Sequence, residues 1–195
     1  MGLIVLIGAQ TTGKMTVGKE LEKRIDGKLL FNHQTIDIFA NYLGYNHHTF
    51  QLSDSTRKEL FKAFVENKGH NTTSSIIFTV LVAFSEEDME FLRDISKIFK
   101  DADEEVYFVE LVTDLSVRLE RNKHELRLAA KPSKRDLEFS ENELLTSYEK
   151  HQLESNDNQL VEIFEPIGIN CFKIDNTHLL PEEVAILIKE KFDLD

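Results

Sequence analysis

The sequence predicts a doubly wound α/β fold, in which a parallel sheet is covered by helices on both faces. Three observations lead to it: short runs of continuous apolar residues recur along the chain, stretches of helical periodicity separate them, and a glycine-bearing loop joins the first run to the first helical stretch. Strands covered on both faces tend to be apolar throughout rather than alternating, which is the habit of parallel sheets.

The expected strands, in order, are Leu3 to Ile7, Leu29 to Phe31, Ser75 to Phe84, Val106 to Leu111 and Asn170 to Ile174. Between the first three lie apolar residues three and four apart: Val17, Leu21 and Ile25, then Ile36, Phe39, Ala40 and Leu43, then Leu60, Phe61, Phe64 and Val65. The pattern returns with Met89, Leu92, Ile95 and Phe99, with Leu144, Leu145 and Tyr148, and with Val184, Leu187 and Ile188. Each set predicts a helix with one buried face, and the alternation predicts crossover connections in a parallel sheet. The last helix has a marked start, since Pro181, Glu182 and Glu183 suit a first turn and its positive dipole end.

At 195 residues the chain can bury one sizeable core, so a single domain over 1–195 with a movable insertion is expected. A net charge of -12 argues against a nucleic-acid or membrane-surface partner, because binding through phosphate neutralisation needs a basic excess. Cys171 is the sole cysteine, which excludes an internal disulfide or a thiolate cluster and suits a reducing compartment. The run Leu3 to Ile7 is too short for a membrane span and has no basic region before it, so a cytoplasmic location is expected.

Gly8, Ala9, Gln10, Thr11, Thr12, Gly13 and Lys14 fit the Gly-x4-Gly-Lys spacing, in which glycines let the backbone curl around an anion and the lysine reaches the outer phosphates. Composition alone yields this string in about one chain in twenty, so its weight comes from the strand before it and the helix after it. That helix contributes N–H groups and the positive end of its dipole. ATP is the expected ligand, with Mg2+. The position after the lysine, where a magnesium-binding hydroxyl is usual, holds Met15, and a thioether is a poor ligand for a hard cation. Thr16 is next, rotated about a hundred degrees around the helix. Either Thr16 reaches the metal through an altered loop, or the phosphates, water and another carboxylate hold it.

Arg118 to Arg135 carries seven Lys or Arg residues against Glu120 and Glu125. Phosphoryl transfer gathers negative charge on the migrating group, so a cationic flap that closes over it would stabilise that charge and exclude water. Arg118, Arg121 and Arg127 are the catalytic candidates, and the alternative is a solvated helix face. Position after the fourth strand favours the flap. Asn122 to Glu125 lacks the aspartate of a guanine-reading sequence and follows a helical stretch, which argues against guanine specificity.

Ligands of open α/β sheets gather at the carboxyl ends of strands. Asp37, after the second strand, is a candidate to orient or deprotonate an acceptor hydroxyl. His33 is a candidate to bind the same substrate, and Glu86, after the third strand, to order magnesium-bound water. The structural alternatives are a satisfied histidine and solvated helix starts. His47 and His48 lack metal-spaced partners and read as loop surface.

Gly8 to Thr16, Phe31 to Asp37, Val106 to Leu111 with Arg118 and Arg121, Lys131 to Arg135, and Ile174 to Thr177 with Pro181 to Val184 together resemble the P-loop small-molecule kinases of the adenylate, shikimate and gluconate kinase type, including bacterial AAA-family ATPase or shikimate kinase-like proteins. The resemblance spans nearly the whole chain. It implies a P-loop NTPase three-layer α/β/α sandwich with five parallel strands in the order 2-3-1-4-5. It further implies an arginine-bearing lid at about 118–137, with Arg135 beside the substrate, and an adenine pocket near Asn176 and Thr177. The Gly-Gly pair that shikimate kinases place beside their substrate is absent, so the resemblance leaves the acceptor open. The resulting expectation is an ATP-dependent phosphotransferase acting on a small molecule. The alternative is a nucleotide-binding regulatory protein in which Met15 reflects weak or lost chemistry.

Overall fold

In the computed structural model, which describes residues 2–195, Leu3–Ile7 forms β1, buried at every position. The other strands are β2 (Gly27–Phe31), β3 (Ser75–Val80), β4 (Val106–Val112) and β5 (Asn170–Asp175). All pairings are parallel, with Val5 beside Phe78 on one side and Phe108 on the other, and the order is β2-β3-β1-β4-β5. This is the order that the resemblance implies. It places β1 at the centre, so the loop at its carboxyl end lies at the middle of the sheet edge where ligands bind.

The helices are α1 (Lys14–Leu21), α2 (His33–Leu43), α3 (His47–Glu66), α4 (Glu86–Lys100), α5 (Leu115–Asn122), α6 (Glu125–Ala130), α7 (Leu137–Lys150), α8 (Gln159–Phe164) and α9 (Pro181–Phe192). Two layers cover the sheet, α3, α4 and α8 on one face and α1 and α9 on the other. Successive β1 side chains point to opposite faces. Leu3, Val5 and Ile7 join Phe61 of α3, Met89, Leu92 and Phe99 of α4 and Phe164 of α8. Ile4 and Leu6 join Val17 and Leu21 of α1 and Val184 and Ile188 of α9. The apolar run that suggested a strand is therefore apolar because two cores need it.

Phe61 is fully buried, with its ring 5.5 Å from that of Phe78 and 5.7 Å from that of Phe99. Its truncation to alanine is expected to cost about 3–5 kcal/mol, as large cavities in a close-packed core do. Leu43→Ala, on an exposed position, should stay within about 0.5 kcal/mol. Urea unfolding followed by circular dichroism measures both.

Several boundaries and faces differ from the sequence reading. The third strand ends at Val80 rather than Phe84, because its register partner Ile7 is the last residue of β1 before the chain turns into the loop. Beyond it the backbone is irregular, and Phe84 has a left-handed φ of 52°. In α2 only Thr35 and Ile36 are buried, because the helix packs chiefly on α3 beyond the edge strand rather than on the sheet. Leu60, Leu145 and Leu187 are exposed for the same kind of reason: one turn of helix presents fewer positions to the core than the apolar spacing suggests. His47 and His48 form the exposed first turn of α3, capped by Asn46, which accepts the Thr49 N–H at 3.3 Å. The short helix α8, absent from the sequence reading, contributes Leu160 and Phe164 to the core. Among the described residues no helix is long and apolar enough to cross a membrane.

Candidate functional site

The loop after β1 is shaped by backbone conformations that ordinary residues avoid. Gly8 has φ 151°, and a Cβ there would stand 2.6 Å from the Leu111 carbonyl oxygen, so only glycine lets the loop lie against β4. Thr11 and Gly13 have φ of 64° and 92°. Gly13 begins α1 without any side-chain cap, leaving the first N–H groups of the helix for a ligand. The Lys14 ammonium curls back over the loop and donates to the carbonyls of Gly8 and Ala9, each at 2.6 Å. Burial, then the charges of Lys131, Arg118 and Arg127, hold its pKa well below the usual lysine value.

These four cations crowd one space. Lys131 is likewise pushed down to about 8 by burial and by Arg127 and Lys134, with Asp37 opposing the shift. Burial lowers the pKa of Arg118, Arg121 and Arg127 as well. Arg118 Nη2 and Arg127 Nε and Nη1 are buried with no hydrogen-bond partner among the described residues. Buried donors of one sign that repel one another are costly unless an anion completes them.

Lys14, Arg121, Arg127 and Lys131 line a cleft of about 1210 Å³ together with Gln10, Thr11, Gly13, Met15 and Thr16. Its far wall carries His33, Ile36, Phe50, Asp54, Arg57 and Phe91 from α2, α3 and α4, and Tyr45 from the connection between α2 and α3. Arg118 is not on the wall. It stands behind the loop, donating from Nε to the Gln10 carbonyl at 2.9 Å, with its guanidinium carbon 5.9 Å from the centre of the Tyr148 ring. Asn176 and Thr177 also brace rather than line. Asn176 Nδ2 donates to the Thr12 carbonyl at 2.8 Å, its Oδ1 accepts from Thr113 at 2.6 Å, and the Thr177 hydroxyl accepts the Asp114 N–H at 3.0 Å. Arg121 ties the same region together, donating to the carbonyls of Asn176 at 3.1 Å and Thr177 at 3.3 Å.

On the acceptor side, Asp37 accepts from His33 Nδ1 at 3.0 Å and from the Tyr45 hydroxyl at 2.9 Å; His33 and Tyr45 line the cleft and Asp37 does not. Arg135 is exposed and off the cleft, donating to the Leu128 carbonyl at 3.1 Å. Glu86 is exposed and off the cleft as well, in the first turn of α4. Asn122 is buried beneath α7, where its Oδ1 accepts from Ser140, which leaves it no part in reading a base.

Met15 offers magnesium only sulfur, while Thr16 donates its hydroxyl proton to the Gly13 carbonyl at 2.8 Å, which leaves the oxygen lone pairs for a metal. Among the described residues no group of three or more His, Cys, Asp or Glu suited to a metal exists, so a magnesium ion at the loop would take most of its ligands from phosphate and water.

Three cleft residues escaped the sequence reading. Lys131 lay in the quoted basic run but was not singled out. Arg57 is buried, with its donors on Thr35 Oγ1, the Asn32 carbonyl and Asp54 at 2.8, 2.9 and 2.7 Å. A signal for it existed: it stands one helical turn before Phe61, a charged residue on an apolar stripe. Tyr45 gave none, since it lies between two helices.

No protein-family model and no curated protein sequence matches the chain. Solved structures do. The shikimate kinase of Acinetobacter baumannii in complex with shikimate aligns at 14% identity and TM-score 0.56, over 98% of this chain and 93% of that one. The APS kinase of Mycobacterium tuberculosis, in complex with AMPPNP and APS, aligns at 13% identity and TM-score 0.57, over 98% and 97%. The tunicamycin resistance protein of Deinococcus radiodurans aligns at 16% identity and TM-score 0.56, over 100% and 98%. The fold of this chain is that of the P-loop small-molecule kinases.

Proposed function

We propose that the chain is an ATP-dependent phosphotransferase that moves the γ-phosphoryl group to a hydroxyl of a small-molecule acceptor. The observation that carries this reading is the convergence of Lys14, Arg127 and Lys131 on the cleft beside the glycine loop, with buried N–H groups of Arg127 left without partners among the described residues. A trianionic phosphate chain supplies the acceptors those donors lack and removes their mutual repulsion. The glycine loop and the uncapped start of α1 supply the remaining N–H groups.

In this reading Lys14 leaves the loop carbonyls for the β- and γ-phosphates. Arg127 and Lys131, on the helical segment that covers the cleft, act as the lid that meets the migrating group. Arg118, Arg121, Asn176 and Thr177 hold the loop and the base of the lid in place. Mg2+ would arrive with the nucleotide, held chiefly by its phosphates and water; the Thr16 hydroxyl oxygen is the ligand the loop could add, and Met15 offers none. The acceptor lies against the far wall of the cleft, near His33 and Tyr45. ATP as donor suits a cytoplasmic reaction.

Met15 favours a second reading, a nucleotide-binding regulatory protein in which the ligand acts on conformation. ADP release with Mg2+ and ATP across a panel of sugar, cyclitol, amino-sugar and nucleoside acceptors separates the two. Turnover well above that with water alone is expected for at least one acceptor class. Tight ATP binding by calorimetry without acceptor-dependent turnover would give preference to the regulatory reading.

A further inference from the structure

We propose that His33 is the general base of the acceptor site and that Asp37 is its positioning residue, an inference that rests on the phosphotransferase reading. His33 opens α2 at the carboxyl end of β2, and Asp37 follows one turn later, so the two side chains lie on one face of the helix. A carboxylate only accepts, so the 3.0 Å contact makes Nδ1 of His33 the protonated nitrogen and leaves the lone pair on Nε2. Nδ1 is the only ring nitrogen with a protein hydrogen-bond partner among the described residues. His33 is on the cleft wall opposite the loop and Asp37 is not.

This arrangement reverses the role that sequence gives to Asp37. Its Oδ1 already takes two donors, from His33 and from Tyr45 at 2.9 Å, and both of these line the cleft while Asp37 does not. The step balances as follows. His33 Nε2 takes the proton of the acceptor hydroxyl while the acceptor oxygen bonds to the γ-phosphorus. The bond from that phosphorus to the β–γ bridging oxygen breaks with its electron pair, and ADP leaves. The proton remains on His33 until solvent removes it.

The protonation state suits the role. Burial, together with the charges of Lys131 and Lys134 on the lid, pushes the His33 pKa down to about 4, with the Asp37 carboxylate opposing. Tyr45 is the other titratable group at the pair, and its own pKa is raised, first by burial. The imidazole is thus neutral across the physiological range. A phosphate seated among Lys14, Arg127 and Lys131 cancels part of the charge that depresses it, so the base strengthens when the nucleotide is in place.

The test uses the full chain with MgATP and ribose, inositol, glucosamine and adenosine as hydroxyl acceptors, carrying forward the one that turns over fastest. His33→Ala is expected to lower kcat by about 10²-fold or more while leaving ATP binding by calorimetry within about threefold, and free imidazole should restore part of the rate. His33→Gln, which keeps the size and polarity of the side chain, should lose as much. Asp37→Asn should also lose rate, since its amide favours the wrong tautomer, and imidazole should not rescue it. The wild-type kcat/KM should stay flat down to about pH 5.5, where an imidazole titrating at its ordinary value would be about nine-tenths protonated. If acceptor turnover persists in both His33 variants within about twofold, or if only Asp37→Asn is impaired, the assignment to His33 falls and the kinase reading stands. If the wild type binds ATP but transfers to none of the acceptors, both fall.

Discussion

Lys14→Met is expected to reduce phosphoryl transfer by about 10²- to 10³-fold, the range typical of removing one preorganised charge donor from a reacting group, and at the same time to stabilise the unliganded protein. The two effects have one origin. Lys14 is held well below its ordinary pKa by burial and by three neighbouring cations, so the folded state binds its proton less tightly than the unfolded state does. Stability then rises with pH wherever the unfolded chain holds more protons. For Lys14 this window runs upward from its depressed folded pKa to the ordinary 10.5, and at neutral pH the group costs stability. Lys131 adds a slope of the same sign between about 8 and 10.5. Urea unfolding of wild type between about pH 7 and 9.5 should show stability climbing with pH. Lys14→Met should begin higher and climb less, with the Lys131 slope remaining. ATP should stabilise the wild type and leave the variant nearly unchanged. A variant that binds ATP as the wild type does would remove the loop from the mechanism.

Arg127→Ala is expected to lower kcat by about 10³-fold, the lower end of what a guanidinium on a migrating phosphoryl group contributes. ATP affinity should fall by less than about tenfold, because in the proposed binding mode the loop and the start of α1 supply most of the donors to the phosphates. The prediction rests on Nε and Nη1 of Arg127, which are buried and without partners among the described residues although the side chain lines the cleft. Arg135→Ala is the matched control. It lies in the same basic run but is exposed and off the cleft, so turnover should remain within about twofold. Single-turnover transfer with the best acceptor measures both. A loss below tenfold for Arg127→Ala would make it a packing residue.

The fold was legible because its strongest signals are local and repeated. Leu3 to Ile7 is apolar at every position since both of its faces are covered, and Met89, Leu92, Ile95 and Phe99 all turn inward as their spacing requires. The limits of the elements were less legible because neighbours set them. The third strand stops where β1 stops, and nothing in Leu81 to Phe84 announces that. The loop was legible for a similar reason, since Gly8, Gly13 and Lys14 fall within seven consecutive residues and the positive φ of the two glycines demands that type.

The rest of the site was less so, because it is assembled from distant elements. The basic run identified the segment that faces the loop, but charge alone does not distinguish Arg127, with its unpartnered donors in the cleft, from exposed Arg135. Asp37 and His33 were both visible as candidates, yet which of them lines the cleft depends on Tyr45 and on the packing of α2 against α3.

Asn176 makes the curvature of the loop a property of the far edge of the sheet. Its side chain fastens the Thr12 carbonyl to the end of β4 through Thr113, across 164 positions of sequence in the case of Thr12. The glycines and the lysine lie close together in sequence, but a tie that fixes their curvature comes from the residue after β5. Loosening of β5 from β4 would therefore reach the loop without any change in the loop's own residues.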